Sequence, residues 1–355
     1  MIKNEVFAIG VMSGTSLDGV DLVYVKFDNQ DYKNFNIVHC NTVSYSEEWK
    51  KLLQNAISFS ENALIELDIS YGTLLAEKIN NFIAKFSIEV IDFIASHGHT
   101  VLHQPDKGIT LQVGNGQIMA DLTKQKVVCD FRTQDVELGG QGAPLVPIGD
   151  ELLFAEYDYC LNLGGFANVS FKQDDKRIAF DICPVNIVLN RYAQKLGLEY
   201  DDKGITASRG TFLMQLESNL RMLDYYKVKP PKSLGLEWVL KEIIPRLESS
   251  SRKPQDILRT FTDHAAWAIA KVFPKNATVL VTGGGAFNEY LIKKINQNKN
   301  IEMIIPSKEL INFKEALVFA FLGLLRVDNQ VNCLMSVTGA EKNHSSGKIF
   351  TPKEF

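Results

Sequence analysis

Hydrophobic positions along the chain switch repeatedly between two periods. Short apolar runs with alternation mark strands at residues 5–12 and 20–27. Residues 61–86 instead carry Leu64, Leu67, Tyr71, Leu74, Ile79, Phe82 and Phe86 on one face of a long helix. Val90 to Ala95 reads as a short buried strand ending in a polar loop, Ser96-His97-Gly98-His99-Thr100. Thr110 to Val113 and Val127 to Phe131 read as further strands, with a helix from about Asn115 between them. A glycine-rich crossing segment, Leu138-Gly139-Gly140-Gln141-Gly142-Ala143-Pro144, follows, and then the pattern starts again.

The second half opens as the first does. Tyr159 to Leu163, the turn Gly164-Gly165 and Phe166 to Phe171 form a strand, a glycine turn and a strand, and Ile178 to Asp181 adds a third strand. Helices are expected from about Asn186, over 211–223 and over 256–273. Thr278 to Thr282 is a buried strand that runs into Gly283-Gly284-Gly285, followed by a strand at 301–305 and an apolar helix over 308–326. Residues 333–350 read as a polar tail. Strands alternating with helices predict an α/β protein. The repeat predicts two lobes: residues 1–132, with about 327–355 packing back on them, and residues 133–326.

Composition narrows the class. The chain has 355 residues, 45% hydrophobic, enough for two cores. A net charge of −4, with no basic stripe, argues against nucleic acid. No apolar run approaches the ~18 residues of a spanning helix, and the first residues lack a signal-peptide pattern. Five scattered cysteines, none in a CxxC pair, argue against a disulfide framework or a zinc site. A cytoplasmic protein without membrane partners is expected; pairing into a homodimer is left open.

The candidate chemistry lies in the turns. Gly14-Thr15-Ser16-Leu17-Asp18-Gly19-Val20-Asp21 offers backbone N–H groups and hydroxyls to an anion, while Asp18 and Asp21 can hold a divalent cation or its waters. It is no Walker loop, since the Gly-Lys-Ser/Thr signature is missing. Two such hairpins and a late triple glycine together predict a nucleotide held between the lobes.

These residues resemble the anhydro-N-acetylmuramic acid kinase family, part of the sugar kinase, heat-shock ATPase and actin superfamily. The resemblance spans nearly the whole chain. It rests on Met12 to Asp21, His97-Gly98-His99-Thr100 with His103-Gln104-Pro105, Asp130-Phe131-Arg132 and Gly139 to Pro147. Asn162 to Asn168, Phe180-Asp181, Asp202-Lys203-Gly204, Gly283 to Asn288 and Glu315 to Ala320 extend it. Two positions depart. The family follows its aspartate with Thr-Gly-Pro-Gly-Asn, whereas Asp181 is followed by Ile182-Cys183-Pro184-Val185-Asn186; and His99 replaces a glutamine.

The resemblance implies a two-lobed actin-like ATPase fold with a nucleotide cleft between the lobes. It implies a kinase using ATP and Mg²⁺ that opens the 1,6-anhydro ring of a cell-wall amino sugar and phosphorylates the freed O6. Asp181 is then the base that activates water. The stretch Gly14 to Asp21, with Gly164, Gly165, Gly283, Gly284 and Gly285, would bind ATP, and Asp18 would serve the metal. His97, Arg132 and Glu315 would bind the sugar: a guanidinium fork suits the lactyl carboxylate, and Glu315 suits hydroxyls. A kinase for a different sugar is the alternative; a chaperone-type ATPase and an inactive binding module fit the motifs less well.

Overall fold

The computed structural model describes residues 4–14, 17–249 and 252–353. It divides into two compact units, Met1–Ala155 with Phe313–Phe355, and Glu156–Asn312. The division therefore falls neither at 132/133 nor at 326/327. The glycine-rich segment 139–147 belongs to the first unit because the backbone N–H of Gly142 donates to buried Asp135 at 2.7 Å and that of Gln141 to the Thr338 carbonyl at 2.8 Å.

The first unit begins with strands β1 (Glu5–Met12), β2 (Gly19–Asp28) and β3 (Phe35–Ser44), each antiparallel to the next. Helix α1 (Glu47–Asn55) and the long α2 (Glu61–Phe86) follow, capped by Ser46 and Ser60, whose hydroxyls accept the Trp49 and Ala63 N–H groups. The buried face of α2 includes Leu67, Tyr71, Leu75, Ile79 and Phe82, close to the face its periodicity predicts. Strand β4 (Phe93–Ser96) returns parallel to β1. Strands β5 (His99–Gln104) and β6 (Ile109–Val113) form a separate two-stranded sheet, so His99 and Thr100 lie in a strand and not in the expected polar loop. Then come α3 (Gly116–Thr123), β7 (Val127–Cys129) parallel to β4, α4 (Thr133–Glu137) and α5 (Pro147–Leu153).

The second unit repeats the scheme. Strands β8 (Tyr159–Leu163), β9 (Phe166–Gln173) and β10 (Lys176–Pro184) are antiparallel neighbours. Next come α6 (Asn186–Gln194), α7 (Ile205–Arg209), α8 (Met214–Arg221), α9 (Leu236–Trp238), α10 (Ile244–Glu248) and the core helix α11 (Pro254–Val272). Strand β11 (Thr278–Thr282) pairs parallel with β8, α12 (Glu289–Asn298) follows, and β12 (Glu302–Ile304) pairs parallel with β11. Helix α13 (Lys308–Val327) then leads back to the first unit, which α14 (Met335–Thr338) and β13 (Lys348–Phe350) complete.

The sheet orders are β13-β7-β4-β1-β2-β3 and β10-β9-β8-β11-β12. Apart from β13, the two sheets share one plan: three antiparallel strands, then two parallel ones. Helix α13 lies on β1 at very close range: a Cβ at Gly10 would fall 2.0 Å from the Ala316 carbonyl oxygen. Glycine at position 10 is what lets helix and strand touch there. No helix among the described residues is long and apolar enough to cross a membrane.

Candidate active site

Three residues expected at the sugar come together in the first unit. His97 is buried just after β4. Its Nε2 accepts two N–H groups from Arg132, from Nε at 3.0 Å and from Nη2 at 2.9 Å, and its Nδ1–H donates to the Gly98 carbonyl at 2.8 Å. That pattern requires a neutral imidazole. Burial, with the Arg132 charge beside it, pushes its pKa down to about 3. Burial also lowers the Arg132 guanidinium to about 10, against the opposing pull of Glu315. Arg132 further donates Nη1–H to the Gly142 carbonyl at 2.6 Å, so its fork is held in place by the chain before any ligand arrives.

Glu315 lies two turns into α13, beyond the first turn where a helix dipole acts on an acid. Its side chain reaches solvent although protein crowds it closely. That crowding raises its pKa, Asp21 adds to the rise, and Lys314 and Arg132 oppose it. Beside it in the sequence, Lys314 forms a buried ion pair with Asp150 at 2.7 Å. His99, one of the departures from the family, is buried against Tyr71 with a ring separation of 6.2 Å, and its Nδ1 has no hydrogen-bond partner among the described residues.

The first hairpin is described except at Thr15 and Ser16, which lie outside the described residues. Leu17 and Val20 bury their side chains, so only their backbone is available to a ligand. Gly19 answers to β3, since a Cβ there would meet the Val43 carbonyl oxygen at 2.7 Å. Asp18 is exposed. Asp21 is half-buried and its Oδ1 accepts the Thr42 hydroxyl at 2.6 Å; burial raises its pKa against that bond, and Asp18 adds to the rise.

In the second unit, Asp181 lies within β10, not at its end. The strand continues to Pro184 past a bulge at Asp181–Cys183, because Ile182 and Cys183 bury into the core and keep the chain on the sheet. The residues that depart from the family pattern are thus largely taken up by packing. Burial raises the Asp181 pKa, while the Leu234 N–H, 2.8 Å from Oδ2, works against the rise. The Asp181 backbone is clamped by the Lys232 carbonyl at 3.2 Å and the Tyr225 hydroxyl at 2.6 Å. The segment from Tyr225 to Leu234 escaped sequence reasoning; the Pro230-Pro231 pair before Lys232 was the available signal for a rigid loop there.

The glycines separate into two kinds. A Cβ at Gly283 or Gly285 would strike Leu163 at 2.8 and 2.7 Å, so the fold itself demands both. Gly164, Gly165 and Gly284 leave room for a side chain: a Cβ there would meet its nearest neighbours at 3.4, 3.8 and 3.9 Å, ordinary van der Waals contact. The turn carbonyls are occupied: that of Gly165 accepts the Val185 and Ile187 N–H groups, and that of Gly164 accepts Asn186 N–H.

Two units of one strand plan, each opening on a strand–glycine turn–strand hairpin, define a two-lobed α/β protein of the actin-like ATPase fold class. Comparison with known proteins narrows this. Residues 6–352 match the family described as anhydro-N-acetylmuramic acid kinase, and the chain belongs to that family. The enzyme of that name from Francisella tularensis subsp. novicida is 33% identical, covering 97% of this chain and 98% of its own. The one from Bacillus cereus is 32% identical, with 98% and 99% covered. Among solved structures, the activator of the 2-hydroxyisocaproyl-CoA dehydratase from Clostridium difficile with bound ADPNP aligns over 91% of this chain and 97% of its own, at 13% identity and a TM-score of 0.46. The chain is accordingly an ATP-dependent kinase that hydrolytically opens 1,6-anhydro-N-acetylmuramic acid and phosphorylates O6, giving N-acetylmuramate 6-phosphate in cell-wall recycling.

Proposed function

We propose that Asp181 is the base of this reaction. The observation that carries the reading is its setting: one carboxylate oxygen is fixed by the Leu234 N–H, and burial raises the pKa toward the range useful to a general base. Oδ1 takes a proton from water, water attacks the anomeric carbon, the C1–O6 bond breaks, and O6 attacks the γ-phosphorus with release of ADP. Glu315 holds sugar hydroxyls, and Arg132 meets the lactyl carboxylate with a fork already oriented by Gly142 and by His97, which serves the sugar through Arg132 because both its ring nitrogens are engaged.

The backbone of the first hairpin, Gly164, Gly165 and Gly284 receive ATP. Gly283 and Gly285 shape the turn around Gly284. Asp18 and Asp21 suit Mg²⁺, because Asp18 already disfavours the Asp21 charge and a divalent cation would relieve that repulsion. Bound there, Mg²⁺ supplies positive charge to the phosphates. The reaction consumes cytoplasmic ATP, and we place the enzyme in that compartment.

The test is Asp181→Asn. An amide keeps the shape but cannot take the proton, so turnover should fall ~10²–10⁴-fold with ATP affinity nearly unchanged. Reaction in H₂¹⁸O should put label at the anomeric carbon and none in the phosphate ester. Near-wild-type turnover, or label in the ester bridge, would sink the assignment.

A further inference from the structure

Away from these residues, three ligating side chains from distant parts of the sequence meet inside the first unit. Asp135 comes from α4, while Cys333 and His344 face each other across an isolated bridge whose two backbone bonds measure 3.1 and 3.2 Å. All three are buried. Asp135 Oδ1 lies 3.0 Å from Cys333 Sγ and 3.5 Å from His344 Nε2, and one ligand atom of each residue lies within 4.8 Å of the others. His344 Nδ1 sits 3.1 Å from the Lys342 carbonyl, the partner that fixes the ring and leaves Nε2 its lone pair. That buried Nε2 has no hydrogen-bond partner among the described residues and points at the carboxylate.

Hydrogen bonding alone does not account for this arrangement unless His344 is protonated and its Nε2 donates to Asp135. The Cys333 S–H serves Asp135, as does the Thr338 hydroxyl at 2.7 Å, but an imidazole lone pair facing a carboxylate oxygen is one acceptor aimed at another. A cation resolves it. Tetrahedral zinc, with bonds of about 2.0–2.3 Å, sets its ligand atoms about 3.3–3.7 Å apart. The Asp135–His344 separation already falls in that range, and the Asp135–Cys333 one needs to open by only a few tenths of an ångström.

We propose that Asp135 Oδ1, Cys333 Sγ and His344 Nε2 form a binding site for a zinc-class divalent cation, with water as fourth ligand. On binding, the Cys333 thiol releases its proton to solvent and the thiolate bonds the metal. The site is structural. The other oxygen of Asp135 accepts the Gly142 N–H at 2.7 Å, and the Gly142 carbonyl holds Arg132 at 2.6 Å. A cation here ties the C-terminal segment to the loop that orients the guanidinium.

Untagged full-length protein, dialysed against a chelator, is titrated with Zn²⁺ and separately with Co²⁺. One equivalent should be retained per chain through gel filtration, the Co²⁺ form should show a thiolate charge-transfer band with tetrahedral d–d bands, and Zn²⁺ should raise the melting temperature. Cys333→Ser should abolish the charge-transfer band, and both it and His344→Asn should weaken Co²⁺ binding at least ~10-fold. Cys40→Ser, a partly exposed thiol elsewhere, should change neither. Substoichiometric metal on folded wild-type protein, a Co²⁺ spectrum without the thiolate band, or a band and affinity unchanged in His344→Asn overturns the proposal and leaves a buried imidazolium–carboxylate pair.

Discussion

Replacing His97 by glutamine should destabilise the first unit less at pH 5 than at pH 7. The reason is the imidazole's setting: protonation would place a second cation against Arg132 inside the protein. The folded pKa is about 3, against about 6.5 for a free histidine. Between those values the unfolded chain holds a proton that the folded chain refuses, so stability falls as pH is lowered. At pH 5, a unit and a half below the free value, that loss is about 2 kcal/mol, and at pH 7 it is close to zero. Glutamine does not titrate and can accept from Arg132 only through Oε1. Its penalty, about 1–3 kcal/mol for the impaired hydrogen bonding, is independent of pH. The difference between wild type and variant should therefore shrink by about 2 kcal/mol from pH 7 to pH 5. Chains of two units need not unfold in one step. Trp238→Phe and Trp267→Phe leave Trp49, on α1, as the single tryptophan and a reporter of the first unit alone. Urea titrations followed by its fluorescence at pH 7, 6 and 5 give the comparison. A difference that stays constant with pH would refute the argument that His97 is held neutral.

Gly285→Ala should destabilise by about 1–3 kcal/mol through its collision with Leu163, whereas Gly284→Ala should fold normally and raise the KM for ATP; thermal melts and ATP kinetics separate the two. Lys314→Met removes the cation from a buried ion pair with Asp150 and should cost about 3–5 kcal/mol, read as a large fall in melting temperature. Glu315→Gln should raise the KM for the sugar and leave that for ATP unchanged; equal changes in both would remove Glu315 from the sugar site.

The hairpins and the long helix were legible because their apolar periods are strong. Strand β3 was missed: Phe35–Ser44 buries none of its side chains fully and carries a polar, half-exposed pattern. The C-terminal segment misled in the opposite direction. Its polar residues face inward, with Asn332 bonding the Leu322 and Ser346 carbonyls and the Ser346 hydroxyl bonding the Phe131 carbonyl, so polarity there marks buried hydrogen bonding and not a solvated tail. Asp181 and the three sugar-side residues could be named only through the family resemblance. What holds them, the Leu234 N–H and the His97–Arg132 fork, joins residues far apart in sequence that no local pattern connects. Spacing likewise hid the meeting of Asp135, Cys333 and His344, which depends on β13 and its approach returning to the first unit.

That return has a price in time. Strand β13 borders β7, yet roughly two hundred residues separate them, including the whole second unit. At ~5–20 residues per second, a ribosome needs on the order of ten to forty seconds to deliver the missing strand. Throughout that interval the β7 edge lacks this neighbour, and for most of it α13 is also missing from Gly10; an unpaired edge invites strands from other chains. The contiguous second unit can finish folding on the ribosome; the first must wait for β13 to be delivered. Truncation of even the last ten residues should therefore show itself first as aggregation during synthesis, before any defect in catalysis can be measured.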